Sequence, residues 1–153
     1  MYITDLIERA GKGILTGDEI ARQVAKGRIH ISEFDPANLN PNSYNLHTGN
    51  TVTVYNIRDH IDLKDPDTFK DTTTFDLTSD GFMMRPGNTY LIPTRESIGS
   101  PCYEPIFTGR SSIGRLGISV HQEAGFADIG YHGQLTMQFK VTYPTKIYPN
   151  LAL

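Results

Sequence analysis

The run Gly109-Arg110-Ser111-Ser112-Ile113-Gly114-Arg115-Leu116-Gly117 sets two arginines five residues apart around two serines and three glycines. Glycine lets a backbone fold closely around a ligand, and a guanidinium presents a rigid fork of donors that matches phosphate oxygens. Serine hydroxyls and free amides at a turn entering a short helix complete an anion cradle. A solvated surface turn uses the same residue types. Their density within nine residues favours an anion site, and the size of the cradle points to a polyphosphate.

A few positions on, His121-Gln122-Glu123-Ala124-Gly125-Phe126-Ala127-Asp128-Ile129-Gly130-Tyr131-His132-Gly133 has the glycine spacing of a β-hairpin, with a carboxylate and two aromatics in reach. A hairpin of this kind can clasp a planar base between main-chain groups and an aromatic ring. Asp128 serves equally well as a turn residue, so the segment alone leaves both readings open.

Both segments need elements to hold them. Thr16 and Glu19 have capping-box spacing, Ile20 and Val24 share a face, and Gly27 stands where a helix stops. This predicts one short helix, preceded by an N-terminal arm over residues 1–13. Thereafter the pattern is β. Thr51 to Tyr55 alternates, and so does Gln134 to Val141, with Leu135, Met137, Phe139 and Val141 on one face and Gln134, Thr136, Gln138 and Lys140 on the other. Short apolar pieces at Thr89 to Ile92 and Pro105 to Thr108 lie between. The polar stretch from Arg58 to Asp80 has room for at most one strand, Thr74 to Leu77. Many short strands after one helix predict a mainly antiparallel β-sandwich or barrel. The chain reaches Leu151-Ala152-Leu153 on apolar residues, which predicts a further strand and tail beyond them.

Composition narrows the function classes. At 153 residues the chain suits a single domain, here 1–153. A net charge of −3 excludes broad electrostatic binding to nucleic acid or to an anionic membrane, so any phosphate affinity comes from a few placed cations. No apolar run has transmembrane length, and no secretory leader is legible at the N-terminus. Cys102 is the single cysteine, which leaves no internal disulfide and no thiolate zinc site. The expected location is the cytoplasm. His30, His60 and His132 lack metal-ligand spacing, the aspartates at 59, 62, 65 and 67 suit a solvated loop, and Phe82, Met83 and Met84 suit the core.

The two site segments, in this order, resemble the dCTP deaminase/dUTPase superfamily. The resemblance rests on Gly109 to Gly117, on His121 through Ala124-Gly125 to Asp128, Gly130 and Gly133, and on the strand through Gln138. Upstream, Ile14 to Ile31 and Asn40-Pro41-Asn42-Ser43-Tyr44-Asn45-Leu46 are more typical of the dCTP deaminase branch. The resemblance implies a distorted antiparallel β-barrel, dUTPase-like, assembled as a homotrimer with sites between subunits. It implies dCTP or dUTP as substrate, Mg²⁺ brought with the triphosphate, no zinc, and dTTP as a candidate regulator. By position, Arg110, Ser111, Ser112 and Arg115 would hold phosphates, Arg115 across an interface. The stretch from His121 through Gly125 to Tyr131 would hold deoxyribose and base, with Tyr131 crowding the 2′ position and the Ala124 backbone placing the attacking water. Ser111, Arg115, Asp128 and Gln138 would be the catalytic set. The tail beyond Leu153 would close over bound nucleotide.

Two positions depart from the family pattern. Its general-base glutamate falls at Gln138, and an amide can orient water but has no lone pair basic enough to take its proton. Three readings stay open: a variant of preserved shape and blocked turnover, a dUTP diphosphatase in which Asp128 serves the attacking water, or a nucleotide-binding regulator. The lead is deamination of dCTP to dUTP. Asn45 and His47 stand where the family often carries an Asp and an Arg, which removes negative charge from a metal's surroundings.

Overall fold

The helix begins where its cap places it. Thr16 Oγ1 accepts the Glu19 amide at 3.3 Å, Asp18 and Glu19 favour the positive end of the helix, and α1 runs Gly17–Ala25. Gly27, at φ +68°, turns the chain away. Gly17 lets the helix dock: a Cβ there would lie 2.3 Å from the Asn40 carbonyl oxygen, and the Gly17 amide donates to Pro41 O at 3.0 Å. This computed structural model describes residues 13–153, so the N-terminal arm expected over 1–13 falls, except for Gly13, outside the described residues.

Ten strands follow: β1 His30–Ile31, β2 Leu39–Asn40, β3 Ser43–Tyr44, β4 Thr51–Tyr55, β5 Thr72–Asp76, β6 Phe82–Met84, β7 Tyr90–Gly99, β8 Ile118–Ser119, β9 His132–Val141 and β10 Thr145–Ile147. One helical turn, α2, spans Ser111–Gly114 between β7 and β8. All pairings are antiparallel. The main sheet runs β5-β4-β7-β9-β8 with β1 added on β7, while β6 pairs with β10 and β2 with β3. The mainly antiparallel β fold is therefore as expected, but the ladders do not join into a closed ring among the described residues.

Alternation on β9 is as read from the sequence. Leu135, Met137, Phe139 and Val141 are buried and pack with Val52, Met84, Ile92, Val120 and Ile147, while Gln134, Thr136 and Lys140 are exposed and Gln138 is half-buried. Met84 joins the core as expected, with Phe82 packed on it, whereas Met83 is exposed.

Strand β7 continues far beyond the expected Thr89 to Ile92. Pro93 has no amide to donate, and between Pro93 and Ser97 the register with β9 shifts. The alternation of β7 runs unbroken through the shift and carries Thr94 and Glu96, both fully buried, inward with Tyr90, Ile92 and Ile98. Thr94 Oγ1 accepts the Leu135 amide at 2.9 Å and donates to Glu96 O at 2.7 Å. The Glu96 carboxylate accepts from the His47 amide at 2.9 Å, from His47 Nδ1 at 2.7 Å and from Arg95 Nη2 at 2.7 Å. His47, read from sequence only as a departure from a family pattern, is thus a structural partner of a buried carboxylate. Residues 151–153 are apolar for a related reason: they seat on this region, with Leu153 buried, its amide on Leu46 O at 2.8 Å, and Ala152 bridged to His47.

Removing Glu96 leaves the Arg95 guanidinium and the His47 main-chain and ring donors without their buried acceptor. Glu96→Ala is expected to cost about 3 kcal/mol, or roughly 10 °C in Tm, and thermal unfolding measures it. A change under about 2 °C would mean that water replaces the carboxylate at no cost.

Candidate functional site

The cradle forms as a single helical turn. The amides of Ile113 and Gly114 both donate to Arg110 O at 3.0 Å, while those of Ser111 and Ser112 have no main-chain acceptor among the described residues. Beside the turn lies a cleft of about 400 Å³ whose wall includes Thr108, Gly109, Arg110, Ser119, His121 and Thr142. Arg110 is thus on the cleft, and Ser111, Ser112 and Arg115 are exposed on α2 next to it. Neither arginine forms an ion pair among the described residues, which leaves both guanidinium groups open to an anion.

Gly117 shapes the far wall. It holds φ +74°, its carbonyl accepts the Thr142 amide at 2.9 Å, and a Cβ would lie 2.7 Å from Thr142 Oγ1 and 2.8 Å from Thr142 Cβ. Gly117→Ala is expected to lower stability by about 1–3 kcal/mol, because it adds left-handed strain to a contact that Thr142 cannot fully yield. Chemical denaturation tests this, and an unchanged midpoint would show the turn relaxing freely.

A second cleft of about 300 Å³ adjoins the first, with His121 in the wall of both. Ala124, Asp128 and Tyr131 reach it from the loop, Gln134 and Thr136 from β9, and Phe107 from the preceding segment. The expected hairpin over 121–133 is instead a loop that pairs elsewhere. Phe107 N donates to Gly125 O at 2.7 Å, Ala127 N to Pro105 O at 3.0 Å, and Ile106 bridges Phe126. The piece expected as a strand at 105–108 is the partner of this loop, with one bridge in place of a ladder.

Asp128 stands both at a turn and on the wall of the cleft. Its carbonyl accepts the Tyr131 amide at 3.0 Å across a turn with Gly130 at φ +90°, while its exposed side chain stands on the cleft. Tyr131 lies across Gly133, where a Cβ would be 2.9 Å from the phenol oxygen, and its hydroxyl donates to Gln134 O. Ala124 holds φ +54°, a left-handed conformation that costs a residue with a Cβ about 1–2 kcal/mol.

A family model described as dCTP deaminase-like matches residues 14–153. The chain belongs to the dCTP deaminase-like family. Among its relatives, a protein of Clostridium beijerinckii named "dCTP deaminase, dUMP-forming" is 40% identical over 140 residues, covering 92% of this chain and 78% of the relative. Proteins with the same name in Leptospira biflexa (39%) and Cytophaga hutchinsonii (38%) cover the same shares. The fold matches the crystal structure of a 2′-deoxycytidine 5′-triphosphate deaminase from Agrobacterium tumefaciens with a TM-score of 0.70 at 23% identity. That match takes in 92% of this chain and 46% of the crystallised one, so the present chain spans less than half of that protein.

Of the residues read as the site of this dCTP deaminase-like chain, Arg110 stands on the first cleft, Ala124, Asp128 and Tyr131 on the second, and His121 on both. Gln138 lies one step beyond Thr136 on the same face of β9, half-buried and in the wall of neither cleft. Its side-chain amide makes no hydrogen bond to another described residue, and its main-chain amide donates to His121 Nδ1 at 3.3 Å. Gly125 carries a main-chain bond of the loop and stands outside both walls. The upstream segment Asn40 to Leu46 also lines neither cleft; Asn45 Oδ1 is taken by Asn40 Nδ2 at 2.9 Å. Sequence reasoning missed Thr108, Ser119 and Thr142, which carry no local signal. Gln134 and Thr136, on the face of β9 that alternation leaves free to line a site, do line the second cleft.

Among the described residues no three His, Cys, Asp or Glu side chains converge to hold a metal ion. Asp128 is the sole carboxylate on either wall. With that single carboxylate, the walls leave room for Mg²⁺ held mainly by a triphosphate. No helix among the described residues is long and apolar enough to cross a membrane.

Proposed function

We propose that this chain hydrolyses pyrimidine deoxynucleoside triphosphates, with deamination of dCTP as its leading reaction. The observation that carries the reading is the second cleft. There His121, Ala124, Asp128 and Tyr131 from one loop meet β9 beside a two-arginine cradle, in a chain 40% identical to a dUMP-forming dCTP deaminase. Arg110, Ser111 and Ser112 take the phosphates, and Arg115, exposed on α2, reaches the site of a neighbouring subunit in a homotrimer. The exposed Ile106, Leu116, Phe126 and Ile129 around the clefts support such an assembly. Tyr131 stands against the 2′ position and disfavours ribose.

Deamination adds water at C4 of cytosine and expels the amino group as ammonia, giving dUTP. The Ala124 carbonyl places that water, and Gln138 orients it. Without a carboxylate at 138 the proton lacks a strong acceptor, so this step runs slowly. Mg²⁺, when bound, neutralises the phosphate oxygens. No zinc enters this scheme, and dTTP, which shares the deoxyribose triphosphate, is a candidate regulator. Cytoplasmic nucleotide supply is the setting proposed.

A second reading follows from Asp128, the carboxylate on the cleft wall. Asp128 can serve a water attacking the α-phosphate of dUTP, releasing dUMP and pyrophosphate. The relatives' names, which pair dCTP deaminase with dUMP formation, support adding this step. Incubation with dCTP or dUTP and Mg²⁺, with ammonia and pyrophosphate assayed separately, divides the readings. Ammonia alone from dCTP supports the first and pyrophosphate from dUTP the second. Both products from dCTP indicate a bifunctional enzyme, and binding without product a regulator.

A further inference from the structure

His121 lies two residues past β8, where a continued ladder would set it opposite Gln138 of β9. Strand β8 pairs Ile118 with Val141 and Ser119 with Lys140. Two residues further along each strand, residue 121 would face Gln138 and offer its carbonyl to the Gln138 amide. The ring takes that amide instead, at Nδ1, 3.3 Å away. The ladder therefore ends on a side chain, and the main chain is released to splay into the loop that walls the second cleft.

That bond fixes the tautomer. A main-chain amide only donates, so Nδ1 carries no proton, and the neutral ring holds its proton on Nε2. Nε2 lies 3.2 Å from the Ala124 carbonyl oxygen, which only accepts. The Phe107 ring stands edge-on to the imidazole at 6.4 Å between centroids. Both ring nitrogens are thus used within the protein, and one of them grips a residue held at φ +54°.

We infer that His121 is a positioning residue rather than a ligand for substrate: one fixed tautomer ties the Ala124 carbonyl to the Gln138 amide. Its effect on turnover rests on the reading that Ala124 places the attacking water. The carbonyl has two lone pairs, so the bond from His121 leaves one for that water. The same ring joins the wall of the phosphate cleft to that of the base cleft, so nucleotide seated in one finds the other already set.

The test separates the two bonds. Nitrogen-15 spectra of the nucleotide-free chain should show His121 as a single tautomer protonated at Nε2. His121→Asn keeps an acceptor near the Nδ1 position and loses reach to Ala124; His121→Gln reverses this. Gln138 amide protection from hydrogen exchange should fall about tenfold in His121→Gln and hold in His121→Asn. Ammonia release from dCTP should drop about 10- to 100-fold in kcat for His121→Asn, with KM held within about threefold. His121→Gln, which keeps the bond to Ala124 but loses its anchor on Gln138, should lose less kcat than His121→Asn. A ring protonated at Nδ1 or exchanging between tautomers overturns the inference, as does equal Gln138 protection in both variants, or a loss carried by KM. A native chain that releases neither product overturns the proposed function instead, and the spectra then decide on His121 alone.

Discussion

Replacing Gln138 by Glu is expected to raise ammonia release from dCTP by about 10²–10⁴-fold, the usual worth of a general base. The substitution changes one terminal atom of a half-buried side chain on β9, opposite Leu91, and the main-chain amide of residue 138 is already anchored on His121. Strand and cleft therefore keep their shape, and what is added is a group able to take a proton from water. The native amide can hold that water but not deprotonate it. Pyrophosphate release from dUTP, assigned to Asp128, should change by less than about threefold in the same variant, because proton removal at C4 is no part of that step. The comparison is a side-by-side rate of ammonia release at saturating dCTP. No gain in the Glu variant would show that Gln138 is not what limits deamination.

Arg110→Ala should weaken binding of dCTP or dUTP by about 10- to 100-fold while leaving deoxycytidine binding within about twofold, since a charge-assisted hydrogen bond is worth about 1.5–3 kcal/mol. Arg110 stands on the cleft wall without an ion-pair partner among the described residues, so its removal creates no unpaired carboxylate and leaves the fold intact. Arg115→Ala should have a similar effect for a different reason. Arg115 is exposed at the end of α2 and off the wall of its own cleft, and in the homotrimer proposed above it would act on a neighbouring subunit. Calorimetric titration with the triphosphate and the nucleoside decides both, and equal losses for the two ligands would remove the arginines from any phosphate role.

How much of this was legible in the sequence depended on whether the signal was local. The cap at Thr16, the stop at Gly27 and the alternation through β9 are short-range patterns, and each is realised as read. Strand β7 was cut short because Pro93 punctuates it and a glutamate does not read as an inward residue; Glu96 is tolerated there because His47 and Arg95 hold its carboxylate. The loop over 121–133 fitted a hairpin because glycine spacing marks turns without naming the strand they pair to. Its partner, the segment around Ile106, is distant in sequence. Thr142 and Ser119 reach the cradle only through the β8–β9 pairing, and His47 is explained by a carboxylate 49 residues away. The chemistry-bearing residues announced themselves by type, and their supports had to be seen.

The central claim is that the native chain deaminates dCTP, slowly, at a site whose water lacks a carboxylate. Single-turnover incubation with the native chain in excess over dCTP, with Mg²⁺ present and ammonia followed to completion, tests it most directly. One equivalent of ammonia per dCTP, appearing about 10²–10⁴ times slower than with Gln138→Glu, is the predicted result. Bound dCTP recovered with its amino group intact, in both the native chain and the Glu variant, would contradict it.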